Sequence, residues 1–200
     1  VGPDPLRDTD NPLIIPKTRK EIFPMNRIPA HTVEDAPEAS RPLLQTIAQQ
    51  SPTGRPLNLH AQMAHAPAVL AMYSSLRAAV PQYAKLDQKT GWALNLATAA
   101  AVGNGYMIGI AVRLAGMNGW AEAQIAALLE GRATGDAKVD ALTSVVREAT
   151  ADSGKVTDST WEAAQKAGWS DGQLAEAFAY LGQTVFTGYF LNYAQTDTDV

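Results

Sequence analysis

From Gly91 to Val112 the chain reads GWALNLATAAAVGNGYMIGIAV without one charged side chain, although 18% of all residues are charged. Such a run has two homes: the hydrocarbon core of a bilayer, or the centre of a packed domain. Its own residues decide between them. A membrane span needs about 20 predominantly apolar residues in unbroken helix. Here Gly103-Asn104-Gly105 interrupts the middle, Asn95 and Thr98 add polar groups, and much of the rest is Ala. The run therefore predicts two buried helices joined at a kink or tight turn, at the centre of an all-α domain, and no membrane partner.

The flanking sequence extends that reading. From Thr32 onward almost nothing alternates with period two, and Ala is abundant, as in closely packed helices. Pro42 precedes the apolar run LLQTIAQQ, which Ser51-Pro52-Thr53-Gly54 ends. Pro67 opens AVLAMYSSLRAAV at the favoured first helical position. Asp87 can cap the helix that begins the uncharged run, and Gly116 and Gly119 close its second half. Gly131 ends a short helix, and Val139, Leu142, Val145 and Val146 form one face of the next. Thr157 or Asp158 starts another. Ser170 with Gln173 forms a capping box for a long last helix, whose stripe reads Leu174, Phe178, Leu181, Val185, Tyr189. No internal repeat of fixed period is evident.

Residues 1–30 carry Pro3, Pro5, Pro12, Pro16, Pro24 and Pro29. They predict an extended, proline-rich arm, with Leu13, Ile14, Ile15 and Phe23 as anchors, ahead of one helical domain over 31–200. No apolar leader-like core stands in residues 1–24, so the expected compartment is the cytoplasm. The net charge is −4 with no basic patch, which argues against nucleic acid. Cysteine is absent, so these residues form no disulfide, thiolate metal site or thiol nucleophile. The three histidines are His31, His60 and His65. His60 and His65 sit about 140° apart on an ideal helix, so no metal is expected there.

The order of several short pieces carries a resemblance. Leu86-Asp87 precedes the long apolar helix; then come Gly103-x-x-Tyr106, Ala115 and Gly119. Before them stand Met25-Asn-Arg-Ile-Pro, Asn58-Leu59 and Met63-Ala64-His65-Ala66-Pro67; after them come Ala167-Gly168-Trp169-Ser170-Asp171 and Phe186-Thr187-Gly188-Tyr189. Together they resemble the alkylhydroperoxidase-D-like branch of the carboxymuconolactone decarboxylase family, over roughly residues 25–197. The resemblance implies an all-α helical domain of that type, and a homo-oligomer: dimer, trimer or hexamer.

The family's peroxidase members carry a Glu, a Cys-x-x-Cys and a His, with which a thiolate attacks peroxide and a second thiol resolves it. Carried over, those positions fall on Trp92, on Asn104 and Met107, and on Ala111. All are changed, so this chain by itself is no thiol peroxidase. What remains predicts an apolar, partly amide-lined pocket for a small apolar or cyclic ligand. Its candidate ligand-binding residues are Trp92, Asn95, Asn104, Met107, Tyr189 and Asn192. The candidate proton-moving residues are His60, a base near neutral pH if it faces the pocket, Tyr106 and His65. Two functions follow. One is a cofactor-free, non-redox enzyme of lyase or isomerase type on a small cyclic or unsaturated substrate. The alternative is a non-catalytic paralogue, acting as a ligand-binding or structural subunit with Trp92 and Met107 filling the pocket.

Overall fold

The structure is a computed structural model that describes residues 26–199. The predicted arm, up to Met25 and including its four apolar anchors, lies outside the described residues. Nine helices form the described part, with no strand among them: α1 (Arg41–Gln50), α2 (Asn58–Met63), α3 (Pro67–Tyr83), α4 (Gln88–Val102), α5 (Gly105–Met117), α6 (Glu122–Glu130), α7 (Ala137–Ala151), α8 (Asp158–Lys166) and α9 (Asp171–Ala194).

Helix α4 is the centre. It packs against α5, α6, α7 and α9. Leu94, Leu96 and their Ala neighbours are fully buried. Each such leucine removed from water contributes about 1.5–3 kcal/mol. Local signals set its ends. Asp87 Oδ1 accepts the Thr90 backbone N–H at 2.8 Å, and Gly103 stops the helix in the left-handed region at φ +74°. Asn104 then caps α5 by accepting the Met107 N–H at 2.9 Å. The uncharged run is thus two helices around a tight turn.

Two expectations change. The second half of the run, α5, is covered on one face only: Tyr106, Ala111 and Ala115 are buried, while Gly105, Gly109 and Met117 are exposed. The described residues offer nothing to cover the other face. On α9 only Leu174 and Leu181 of the expected stripe are buried, and Val185 is half-buried. Phe178 is 63% and Tyr189 59% exposed. The inward face is Leu174, Ala177, Leu181, Thr184, Gly188 and Leu191. Small residues face inward because α4 and the start of α5 lie so close. A Cβ on Gly188 would meet Val102 Cγ1 at 2.8 Å, and one on Gly91 would meet the Tyr180 ring at 2.5 Å.

The fold also contains a repeat that the sequence concealed. Trp120 Nε1 donates to the Lys89 carbonyl at 2.8 Å, across a separation of 31 residues. Trp169 Nε1 donates to the Lys138 carbonyl at 2.7 Å, across the same 31. In both pairs the lysine ammonium sits over the tryptophan ring it serves. Asp87 and Asp136 cap the helices carrying the two lysines. Gly119-Trp120 and Gly168-Trp169 lead into α6 and α9, where Gln124 and Gln173 each bond back to the N-cap backbone N–H. So α4-α5-α6 and α7-α8-α9 are two copies of one three-helix unit. Helices α4 and α7 are both 15 residues long, but α6 stops after 9 where α9 runs for 24.

The chain's two described ends meet on α2. Gln62, 1% exposed, donates through Nε2 to Asn26 Oδ1 and to the Ile28 carbonyl, both at 2.9 Å, and accepts from Thr196 Oγ1. Arg27 N donates to the Ala194 carbonyl at 2.8 Å. A buried amide needs these partners, and both ends supply them.

Candidate functional site

A cavity lies where α4, α5 and α9 face the α2–α3 pair. Trp92 and Asn95 of α4, Met107, Ile110 and Ala111 of α5, and Gln183, Thr184 and Thr187 of α9 line it; Leu59, Tyr73 and Arg77 complete it. Its volume is about 40 Å³, enough for a few water molecules and too little for a ring. Of the residues singled out in sequence, Trp92, Asn95 and Met107 therefore share one wall. Asn95 is buried, and its Oδ1 accepts the Thr184 hydroxyl at 3.0 Å. Its Nδ2 has no hydrogen-bond partner among the described residues.

His60 stands behind Tyr73. Its Nε2 pairs with the Tyr73 hydroxyl at 3.0 Å, and its Nδ1 is sealed from solvent without a partner. Burial, then the Arg77 charge, hold its pKa down at about 4; Asp199 opposes them. The sequence made His60 a base near neutral pH only if it faced the pocket; it stands behind Tyr73 and does not line the cavity. Burial likewise raises the Tyr73 phenol, against the pull of Arg77. Both members of the pair are uncharged near pH 7. Arg77 lies one turn after Tyr73 on α3, is exposed, and forms no ion pair among the described residues.

Tyr106 donates its hydroxyl to Asp199 Oδ1. Burial and that carboxylate both raise its pKa. Asp199 Oδ2 also accepts the Asn58 N–H at 2.7 Å, at the start of α2. Tyr106 is thus tied to the C-terminal segment and does not line the cavity. His65 is elsewhere too. His31 Nε2 and His65 Nδ1 are 2.8 Å apart, with ring planes within 11°, and His31 Nδ1 meets Asp35 Oδ1 at 3.3 Å. This is a hydrogen-bonded chain on the surface. Asn104 Nδ2 donates to Asn192 Oδ1 at 2.6 Å, so this pair joins the start of α5 to α9 outside the cavity. Tyr189 points to solvent. Among the described residues no group of three or more His, Asp or Glu is placed to hold a metal, and no helix is long and apolar enough to cross a membrane.

The sequence reading missed Tyr73, Arg77, Gln183 and Asp199. Tyr73 and Arg77 at i and i+4 in MYSSLR offered one signal, a polar pair on one face of a helix otherwise rich in Ala and Leu. Nothing local marks the other two.

The cavity's frame, a central helix turned tightly into α5 and crossed by α9, defines the class of fold: that of the alkylhydroperoxidase D core. The chain superposes on an uncharacterized peroxidase-related protein from Ralstonia eutropha JMP134, described as an alkylhydroperoxidase AhpD core, with a TM-score of 0.72 at 16% identity, over 88% of this chain and 94% of that one. The debrominase Bmp8, a Cys-to-Ala variant solved with 2,3,4-tribromopyrrole, gives 0.70 at 13% identity, over 89% and 92%. A peroxidase-related protein from Silicibacter sp. TM1040 gives 0.69 at 12% identity, over 88% and 96%. No family model and no curated protein matches the chain in sequence.

Proposed function

We propose that the α4–α9 cavity, widened when the Trp92 and Met107 side chains swing aside, binds a small cyclic or unsaturated molecule, and that the chain is a cofactor-free, non-redox enzyme of the carboxymuconolactone decarboxylase family, of lyase or isomerase type. The observation that carries this reading is the Tyr73 hydroxyl in the cavity wall, backed by His60, beside an unpaired Arg77. An unmet buried acceptor is less costly than an unmet N–H. The favoured tautomer of His60 therefore has its proton on Nε2, donated to Tyr73, with the Nδ1 lone pair left bare. The Tyr73 proton is then free to turn into the cavity as a general acid, with His60 supporting the phenolate that forms. Arg77 attracts an anionic group, the free Asn95 amide orients a carbonyl, and Trp92 and Met107 give apolar walls. The bound pyrrole of Bmp8 supports a ring-sized ligand for this fold.

The alternative, a ligand-binding or structural subunit without turnover, is favoured by one observation: Trp92 and Met107 leave about 40 Å³. On either reading the open face of α5 and the exposed Met117, Phe178 and Tyr193 favour a homo-oligomer. The test is a turnover screen on cyclic and unsaturated small acids, following substrate loss by NMR. The enzyme reading expects turnover that falls about 10²–10⁴-fold in Tyr73→Phe, with the folded content unchanged. Binding without turnover supports the alternative, and neither binding nor turnover removes the enzyme reading.

A further inference from the structure

The repeat supplies a second place to look. Aligning Lys89 with Lys138 and Trp120 with Trp169 sets Trp92 and Asn95 of α4 on Ala141 and Ser144 of α7, and pairs α9 with α6. The α4–α9 cavity therefore has a counterpart between α7 and α6, and a cavity exists there. Leu128, Gly131, Arg132, Ala133, Asp140, Ala141, Thr143, Ser144 and Arg147 line it, and its volume is about 270 Å³. One substitution and one shortened helix account for the difference in size. Trp92 is replaced by Ala141, and α6 ends at Gly131, so no helix continues across the opening as α9 does across α4.

The polar groups of this second cavity are unbalanced. Arg147 is half-buried, and its Nη2 is sealed from water without a partner. Its guanidinium lies against the end of α6, with three atoms 3.5 Å from where a Gly131 Cβ would stand. It forms no ion pair among the described residues, and burial without a counter-charge lowers its pKa. Arg132 adds a second guanidinium, already paired with Glu130 on the surface. The one carboxylate in the wall, Asp140, is engaged: Oδ1 accepts Thr134 Oγ1–H at 2.6 Å, and both oxygens accept Thr134 N–H at 3.0 and 3.1 Å. A half-buried guanidinium without a counter-charge favours an anion beside it, and the planar edge that faces the cavity can donate to an oxyanion's oxygens.

We propose that the α6–α7 cavity is a binding site for a small oxyanion, the phosphate or carboxylate group of a small molecule, seated on Arg147 and walled by Ser144 and Ala141. It is separate from the α4–α9 cavity and independent of the function proposed there.

The test titrates the full chain with inorganic phosphate and, separately, with malonate, at low ionic strength by calorimetry. One site per chain is expected for at least one probe, and which probe binds identifies the oxyanion. Arg147→Gln should weaken that binding at least ten-fold, and Arg147→Lys should weaken it less, since it keeps the charge and loses the fork. Ser144→Asp supplies an internal carboxylate; it should abolish binding and raise Tm, a result that does not depend on the folding of the Arg147 variants. Arg113→Gln, an exposed position on α5 outside both cavities, should leave binding unchanged. The proposal is overturned if neither probe saturates below about 10 mM, if Arg147→Gln binds as wild type does, or if Arg147→Gln dissociates an oligomer, which would place a second copy's acid on Arg147.

Discussion

His60 makes the fold sensitive to acid in a way that can be calculated. The free imidazole titrates at 6.5, and the one behind Tyr73 at about 4. Between those values the unfolded chain binds a proton at this position and the folded chain does not. Stability is therefore complete above 6.5 and is lost as the pH falls through the window towards 4. The whole window is worth about 3 kcal/mol, and about 2 kcal/mol of that is gone by pH ~5. Other groups titrate over the same range, so the measurement is a difference. Urea unfolding of wild type and His60→Gln is compared at pH ~7.5 and ~5, with the wild type expected to lose about 2 kcal/mol more than the variant. An imidazole carbon–proton NMR titration of His60 gives the same quantity directly. Equal losses in the two proteins, or a resonance that titrates near 6.5, would refute the argument that Nδ1 is sealed and that burial governs this side chain.

Two further perturbations address packing and the cavity. Gly188→Ala drives a methyl against the branched Val102 side chain. Overpacking of about 1–3 kcal/mol, less up to about 1 kcal/mol of helix propensity, should lower Tm by several degrees; an unchanged or raised Tm would show that α4 and α9 can separate freely. Trp92→Ala should cost about 2–3 kcal/mol, below the fully buried range because Trp92 is only half-buried. It should also open the 40 Å³ cavity enough for indole to raise Tm in the variant and not in wild type. No indole effect in either protein would mean that the walls collapse into the space.

Much of the fold was legible because its punctuation is local. Asp87, Pro67, Gly103 and the Ser170–Gln173 box act within one turn of themselves, and each stands where the sequence placed it. The α9 stripe misled because bulk was read as burial. Where two helices touch as closely as α4 and α9, Gly188 and Thr184 take the inside and Phe178 is left out. The repeat escaped notice because its two copies share little beyond Asp-x-Lys, Gly-Trp and a later Gln; the shared bonds, not the residues between, make them copies. The cavity was half legible. Trp92, Asn95 and Met107 lie within about three turns of the central kink, whereas Tyr73 and Gln183 reach their places by tertiary packing, which no local pattern encodes. Asn104 looked like a ligand-facing amide because its role as cap depends on the backbone angle at a single residue.

The meeting of the two chain ends on Gln62 bears on the order of folding. Its bonds join residues as far apart as Asn26 and Asp197, 171 positions along the chain. Nearly the whole chain must be drawn into a ring before those between the two ends form, whereas the two three-helix units close over short loops. The units should therefore assemble first and the ring close last. Opening should run in reverse, with the end segments letting go before the units separate. Helix α2 carries Gln62, Leu59 and His60 together, so the first part of the protein to loosen is the wall that shields His60. The seam expected to open first and the buried imidazole that must stay neutral share a single short helix.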